Sequence, residues 1–229
     1  MNIEKNLQSP NWLRKICLQF ITEKDFERID KTSVKLKFKK GEVILKQGNQ
    51  PTHVAFLESG IVKFNFESES NKNTILTLVA APKILGGANL FYKDNNLFSI
   101  IAVEDCEVIL VDSDVLLSLL TMYGKFAVAV YQIASDMFKK SIFNFISLAN
   151  KQKEGRIADI ILYLSENIYY GNSFYLSLTR KELAEFACCS TENIIMTLSK
   201  WQSENIIKIT GKHLEIMDMA RIKHISKIG

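Results

Sequence analysis

The sequence predicts an α+β chain: an N-terminal antiparallel β-roll of jelly-roll type, a long central helix, and a C-terminal helical unit closed by a hairpin. Three observations predict it. All three prolines and half of the ten glycines lie before residue 90, and short alternating or β-branched runs sit between them. Residues 114–150 then contain no proline and one glycine, and their apolar positions recur at helical spacing. After residue 178 come two capped helical segments around a tight turn, followed by two short β-branched runs hinged at Gly211-Lys212.

The first region opens with two short helices, near 11–20 and 23–31. Thr22, with Asp25 three residues on, is suited to cap the second. Strands are expected at 34–38, 43–46, 53–58, 61–66, 74–80, 99–103 and 107–111. In 61–66, Ile61, Lys63 and Asn65 fall on one face and Val62, Phe64 and Phe66 on the other, as in a half-buried strand. Short strands separated by turn residues at this spacing indicate a sandwich or barrel.

The long helix carries two apolar stripes. Phe126, Val130, Ile133 and Met137 form one; Ala127, Ala134, Phe138, Ile142 and Phe145 form the other. A helix apolar on two sides must be covered twice. The β-roll supplies one cover and the same helix of a second subunit the other, so Phe126, Val130, Ile133 and Met137 are assigned to a homodimer contact. The alternative is the central core helix of a monomer. The expected division is therefore residues 1–113 for the β-roll, 114–150 for the dimerisation helix and 151–229 for the C-terminal unit.

In that last unit, a helix over 151–167 points Ile157, Ile160, Ile161 and Leu164 inward, and a loop around Gly171 follows. Thr179 and Glu182 form a capping box that starts the next helix. Leu183, Phe186 and Ala187 face inward, and Ala184 lets a second helix approach closely. Cys188-Cys189 makes the turn, Ser190 caps the next helix, and Ile194, Leu198 and Trp201 point inward. This is a helix-turn-helix, and the strand pair at 206–216 with its basic tip makes it winged. Thr191, Glu192, Asn193, Met196 and Lys200 would face a DNA major groove. Thr and Asn suit base edges, Glu suits cytosine, and Met suits a thymine methyl. Arg180, Lys181 and Lys200 would meet phosphates, and Thr179, Ser190 and Lys212 are further expected DNA-binding residues.

Composition excludes several other classes. With 47% hydrophobic and 24% charged residues among 229, the chain has ample core material and is not disordered. Lys125 and Asp136 interrupt the most apolar stretch, so no membrane span is expected, and the N-terminus does not resemble a signal peptide. Cys17, Cys106, Cys188 and Cys189 show no C-x-x-C spacing, and His53, His213 and His224 are dispersed. No metal site or cofactor is therefore expected, and the thiols read as the reduced cysteines of a cytoplasmic protein. A double-stranded β-helix enzyme would need a histidine and carboxylate cluster in the roll, which holds only His53. Residues 151–229 carry 11 Lys and Arg against 9 Asp and Glu, so any positive face must come from arrangement.

Three stretches carry a resemblance: Lys40-Gly-Glu-Val-Ile-Leu-Lys-Gln-Gly48 with Phe56-Leu-Glu-Ser-Gly-Ile-Val-Lys63; Gly155-Arg-Ile-Ala158; and Cys189-Ser-Thr-Glu-Asn-Ile-Ile-Met-Thr-Leu198. Across nearly its whole length the chain resembles the Crp/Fnr family of bacterial transcription regulators. The resemblance implies a cyclic-nucleotide-binding-type β-roll, a dimerisation helix and a winged helix-turn-helix. It further implies a palindromic DNA operator, a homodimer and RNA polymerase as partners.

The sequence departs from the family at the phosphate cassette, where binders of cyclic nucleotides place Glu and Arg. Leu85-Gly-Gly-Ala-Asn-Leu-Phe91 and Leu97-Phe-Ser-Ile100 put Gly87 and Phe98 there. A buried phosphate anion without a cation is strongly disfavoured, so no cyclic nucleotide is expected. Gly86, Gly87, Phe98, Ser99 and Ser141 are the residues expected around an effector pocket, which Phe98 would close or which would take a more apolar effector. The N-terminal cysteine cluster of the oxygen-sensing branch is missing as well. In the reading helix, Thr191 and Met196 replace the arginines that many members use on guanine, while Glu192 is kept. Loss of those arginines leaves a second reading, a family member acting without an effector or as a protein-interaction scaffold.

Overall fold

The computed structural model describes residues 11–70, 72–86 and 94–229, apart from the side chains of Met137, Lys140 and Phe143. The chain forms two compact units. One comprises residues up to Phe64 with Val79–Lys139; the other comprises Asn65–Leu78 with Lys140–Gly229.

The first unit begins with α1 (Trp12–Cys17) and α2 (Glu23–Thr32). The Thr22 hydroxyl accepts from the Asp25 amide at 3.2 Å, the expected cap. The strands are β1 (Val34–Phe38), β2 (Val43–Leu45), β3 (His53–Ser59), β4 (Ile61–Glu67), β5 (Asn73–Ala80), β6 (Lys83–Leu85), β7 (Ser99–Ala102) and β8 (Cys106–Asp112). They form two four-stranded sheets, ordered β1-β8-β3-β6 and β2-β7-β4-β5. In the first, β3 runs antiparallel to β8 with Val54 opposite Val111 and Phe56 opposite Ile109. Sequence distance between paired strands of this kind is what makes a roll rather than a meander.

Asp112 starts α3 (Ser113–Met122): its Oδ1 accepts from the amides of Asp114 and Val115, each at 2.9 Å. The segment read as one long helix is broken at Tyr123 (φ −115°, ψ 86°), and α4 (Gly124–Asn150) restarts beyond it. Gly124, a poor helix former, follows the break, and the Tyr123 hydroxyl donates to Asp25 Oδ2 of α2 at 2.5 Å. Among the described residues no single helix is long and apolar enough to cross a membrane.

The start of α4 belongs to this unit's core. Phe126 is 2% exposed among Trp12, Ile16, Phe26, Phe56, Leu116 and Leu119, with Val130 packed on the same cluster. Phe20 stacks on Phe126 at 6.2 Å. This corrects the assignment of the two stripes. Phe126 and Val130 serve the chain's own core and Ile133 is half-buried, while the Met137 side chain lies outside the described residues. Among the described residues, the large exposed apolar side chains of α4 are Val128, Tyr131, Phe138, Ile142, Phe145 and Ile146. Both stripes satisfy helical periodicity, so periodicity alone does not say which one faces inward.

The second unit consists of α5 (Lys153–Tyr163), a π-helical turn (Leu164–Ile168), β9 (Ser173–Tyr175), α6 (Arg180–Ala187), α7 (Thr191–Ser203), β10 (Ile207–Thr210), β11 (His213–Ile216) and α8 (Met219–Ile228). Its three strands are ordered β10-β11-β9. Gly155 on α5 lets α8 approach: a Cβ there would lie 2.6 Å from the Gly229 carbonyl carbon. The outer part of the β4–β5 hairpin is anchored here. The Tyr163 hydroxyl donates to the Leu78 carbonyl at 2.6 Å, and Asn144 Nδ2 donates to the Leu76 carbonyl at 2.9 Å.

Candidate nucleic-acid interface

The helix-turn-helix is built by its caps. Thr179 Oγ1 accepts from the Glu182 amide at 3.1 Å, and Glu182 Oε2 accepts from the Thr179 amide at 2.8 Å, the reciprocal box that starts α6. Leu183, Ala184, Phe186 and Ala187 are buried. Cys188 then turns the chain in the left-handed region, at φ 47° and ψ 51°, and the Cys189 amide donates to the Ala184 carbonyl at 3.1 Å. Ser190 Oγ accepts from the Asn193 amide at 3.3 Å and starts α7.

One side of α7 buries Ile194, Leu198 and Trp201. The opposite side presents Glu192, Ile195, Met196, Ser199, Gln202 and Ser203 to solvent, with Thr191 half-buried at its first turn. The Glu192 carboxyl is held below its usual range by its own backbone amide and by the Ser190 hydroxyl, so it is an ionised acceptor. Arg180, at the first turn of α6, shares with Ile195, Ser199, Gln202 and Ile209 a cleft of about 490 Å³ between α7 and the wing. Burial pushes its guanidinium down from its ordinary value, yet an arginine stays charged in a protein. Among the described residues it has no ion-pair partner. Lys212 is exposed at the hairpin tip beside Gly211, whose φ of 61° makes the turn.

Four of the sequence-predicted contacts are engaged within the unit: the Thr179 hydroxyl donates to Glu182 Oε2 at 2.9 Å, the Ser190 hydroxyl caps α7, and Lys200 and Asn193 are turned inward. Lys200 points to α5, where its Nζ lies 2.8 Å from Glu154 Oε1. It sits one residue before the inward Trp201 and so leans toward the body of its own unit. The Asn193 amide is turned back on the cap: its Nδ2 donates to Ser190 Oγ at 3.0 Å, and its Oδ1 accepts from Lys153 Nζ at 3.2 Å. Both residues seat the helix in this structure. Sequence reasoning missed the exposed Ser199, Gln202 and Ser203, and also Ile195, because an isoleucine beside Ile194 reads as core. The spacing of four from Ile195 to both Thr191 and Ser199 was the available signal.

Burial pushes the Cys188 and Cys189 thiols up, and the Arg156 guanidinium only partly offsets it. They are protonated side chains at a turn, which agrees with a structural role.

Of the residues expected around an effector pocket, Gly86, Phe98 and Ser99 lie in the first unit. Gly86, at φ 77°, packs so closely that a Cβ would meet Leu45 Cδ1 at 2.6 Å. Phe98 is half-buried with its ring 5.0 Å from that of Phe64, and Ser99 Oγ accepts from the Gln47 amide at 3.0 Å. Ser141 is half-buried on the part of α4 that belongs to the other unit, and Gly87 lies outside the described residues.

A double-sheet roll, a long helix with an exposed apolar side and a winged helix-turn-helix define a class of two-unit DNA-binding regulators. The sequence matches the cyclic nucleotide-binding domain family over residues 35–123 and the Crp-like helix-turn-helix domain family over residues 155–225. It is similar to the anaerobic regulatory protein of Aggregatibacter actinomycetemcomitans, at 21% identity over 220 residues, covering 93% of this chain and 85% of the relative. The structure resembles FixK2 from Bradyrhizobium japonicum, with a TM-score of 0.76, 14% identity, and 84% and 96% of the two chains covered. It also resembles a Crp/Fnr-family regulator from Eubacterium rectale, with a TM-score of 0.76, 15% identity, and 98% and 100% covered. The chain belongs to the Crp/Fnr family of transcription regulators; it is a DNA-binding regulator and not an enzyme.

Proposed function

We propose that the chain acts as a homodimer on a palindromic DNA operator in the cytoplasm, works there on RNA polymerase, and answers to an effector that is not a cyclic nucleotide. The observation that carries this reading is α7 itself: capped, anchored on Trp201, and with Glu192, Ile195, Met196 and Ser199 left to solvent. A rigid helix displayed in this way fits a major groove, while Thr179, Arg180, Ser190 and Lys212 flank it at positions suited to phosphates.

The apolar side of α4 supports the homodimer. Val128, Tyr131, Phe138, Ile142 and Phe145 are all exposed, and their spacing follows a heptad seam whose missing position is Ser135. Pairing two such helices would set two copies of α7 at half-sites about one helical turn apart. Phe98, tucked against Phe64, stands in sequence where a cyclic phosphate would need its cation.

The test is a mobility-shift titration of the whole chain against the region upstream of its own gene, beside calorimetry with cyclic AMP and cyclic GMP. A retarded complex that weakens steeply with salt, and no nucleotide heat, are expected. A chain that retards no duplex, or binds a cyclic nucleotide at micromolar concentration, would contradict the corresponding part of the proposal.

A further inference from the structure

We infer that this chain selects its DNA half-site through the C5-methyl groups of thymines, with Ile195 and Met196 as the specificity-determining side chains. The inference rests on the DNA-binding reading above and adds what that surface recognises. Ile195 is 50% exposed and Met196 70% exposed, adjacent on the outward side of α7, while their neighbours Ile194 and Leu198 are buried. A helix that needs only to pack would not place two large apolar side chains side by side in water.

Residues 191–199 contain no lysine or arginine, and Lys200 is held by Glu154. The helix therefore has no cation to form the bidentate grip on guanine O6 and N7. Among the unmodified bases, the apolar group on the major-groove edge is the thymine methyl. Successive helix positions lie about 100° apart, so the two side chains diverge and one methyl cannot satisfy both. Ile195 lines the cleft shared with Arg180, Ser199 and Ile209, whereas Met196 is exposed outside it. Arg180 in that cleft is suited to hold the phosphate backbone beside the Ile195 contact. A half-site with at least two thymines follows.

The experiment uses the whole chain and a pool of duplexes with a randomised core. Selected duplexes are then remade with uracil in place of each thymine in turn, which deletes the methyl and keeps the O4 acceptor. Enrichment of thymine-bearing half-sites is expected, with a loss of about fourfold in affinity at each contacted position, the fold-change equivalent to about 0.8 kcal/mol for one buried methyl. In Ile195→Ala and Met196→Ala, each removing an exposed side chain, the uracil penalty should vanish at one position and persist at the other. Selection of sites whose affinity is indifferent to uracil would overturn the inference and leave DNA binding intact. A pool from which nothing is enriched would instead sink the DNA-binding reading, and this inference with it.

Discussion

Glu154 on α5 and Lys200 on α7 meet at 2.8 Å, and the same Glu154 oxygen also accepts from the buried Trp201 indole at 3.2 Å. One carboxylate thus fixes both the rotation of α7 and its distance from α5. Lys200 holds the Glu154 carboxyl below its ordinary value of 4.5, with the Trp201 indole adding to the effect. Because the folded value lies below the unfolded one, the contribution is complete above about pH 4.5 and is lost as pH falls through the folded value.

Glu154→Ala should therefore cost about 1–3 kcal/mol, mainly by orphaning the indole N–H of the fully buried Trp201, since the exposed ion pair contributes little. Urea denaturation measures it. Against Glu154→Gln, the advantage of the wild-type chain should be largest near neutral pH and shrink below pH 4.5.

Cys188 holds the left-handed conformation at the turn, where a side chain costs roughly 1 kcal/mol relative to glycine. Cys188→Gly should raise the urea midpoint by the equivalent of about 0.5–1 kcal/mol, part of the gain being offset by the freer unfolded chain. Cys188→Val, branched at Cβ, should lower it.

The two stripes of α4 should separate experimentally. Phe126→Ala empties a core position and should destabilise the fold by about 3–5 kcal/mol. Phe138→Glu changes a side chain that is 66% exposed. It should leave the far-UV spectrum of the folded chain unchanged, yet halve the mass seen by sedimentation equilibrium.

Local signals made much of this molecule legible. Thr22, Thr179 and Ser190 announce their helices because capping is a contact over three residues, and Val34, Leu36 and Phe38 alternating with lysines mark β1. What was not legible depends on partners distant in sequence. Tyr123, at the break between α3 and α4, is bound by Asp25, nearly a hundred residues earlier. The three-residue strands β6 and β9 are defined by the strands they pair with, β3 and β11, and α8 by the side of α5 that Gly155 opens. At the interface, residue types marked the outward side of α7 well, but Lys200 is turned inward by Glu154 and Asn193 by Lys153, distant partners that no spacing rule encodes.

Hydroxyl-radical footprinting on a duplex selected by the chain tests the central claim most directly. A paired regulator predicts two protected tracts on one face of the duplex, their centres about 10 base pairs apart, both lost together in Phe138→Glu. One tract alone, unchanged by Phe138→Glu, would contradict it.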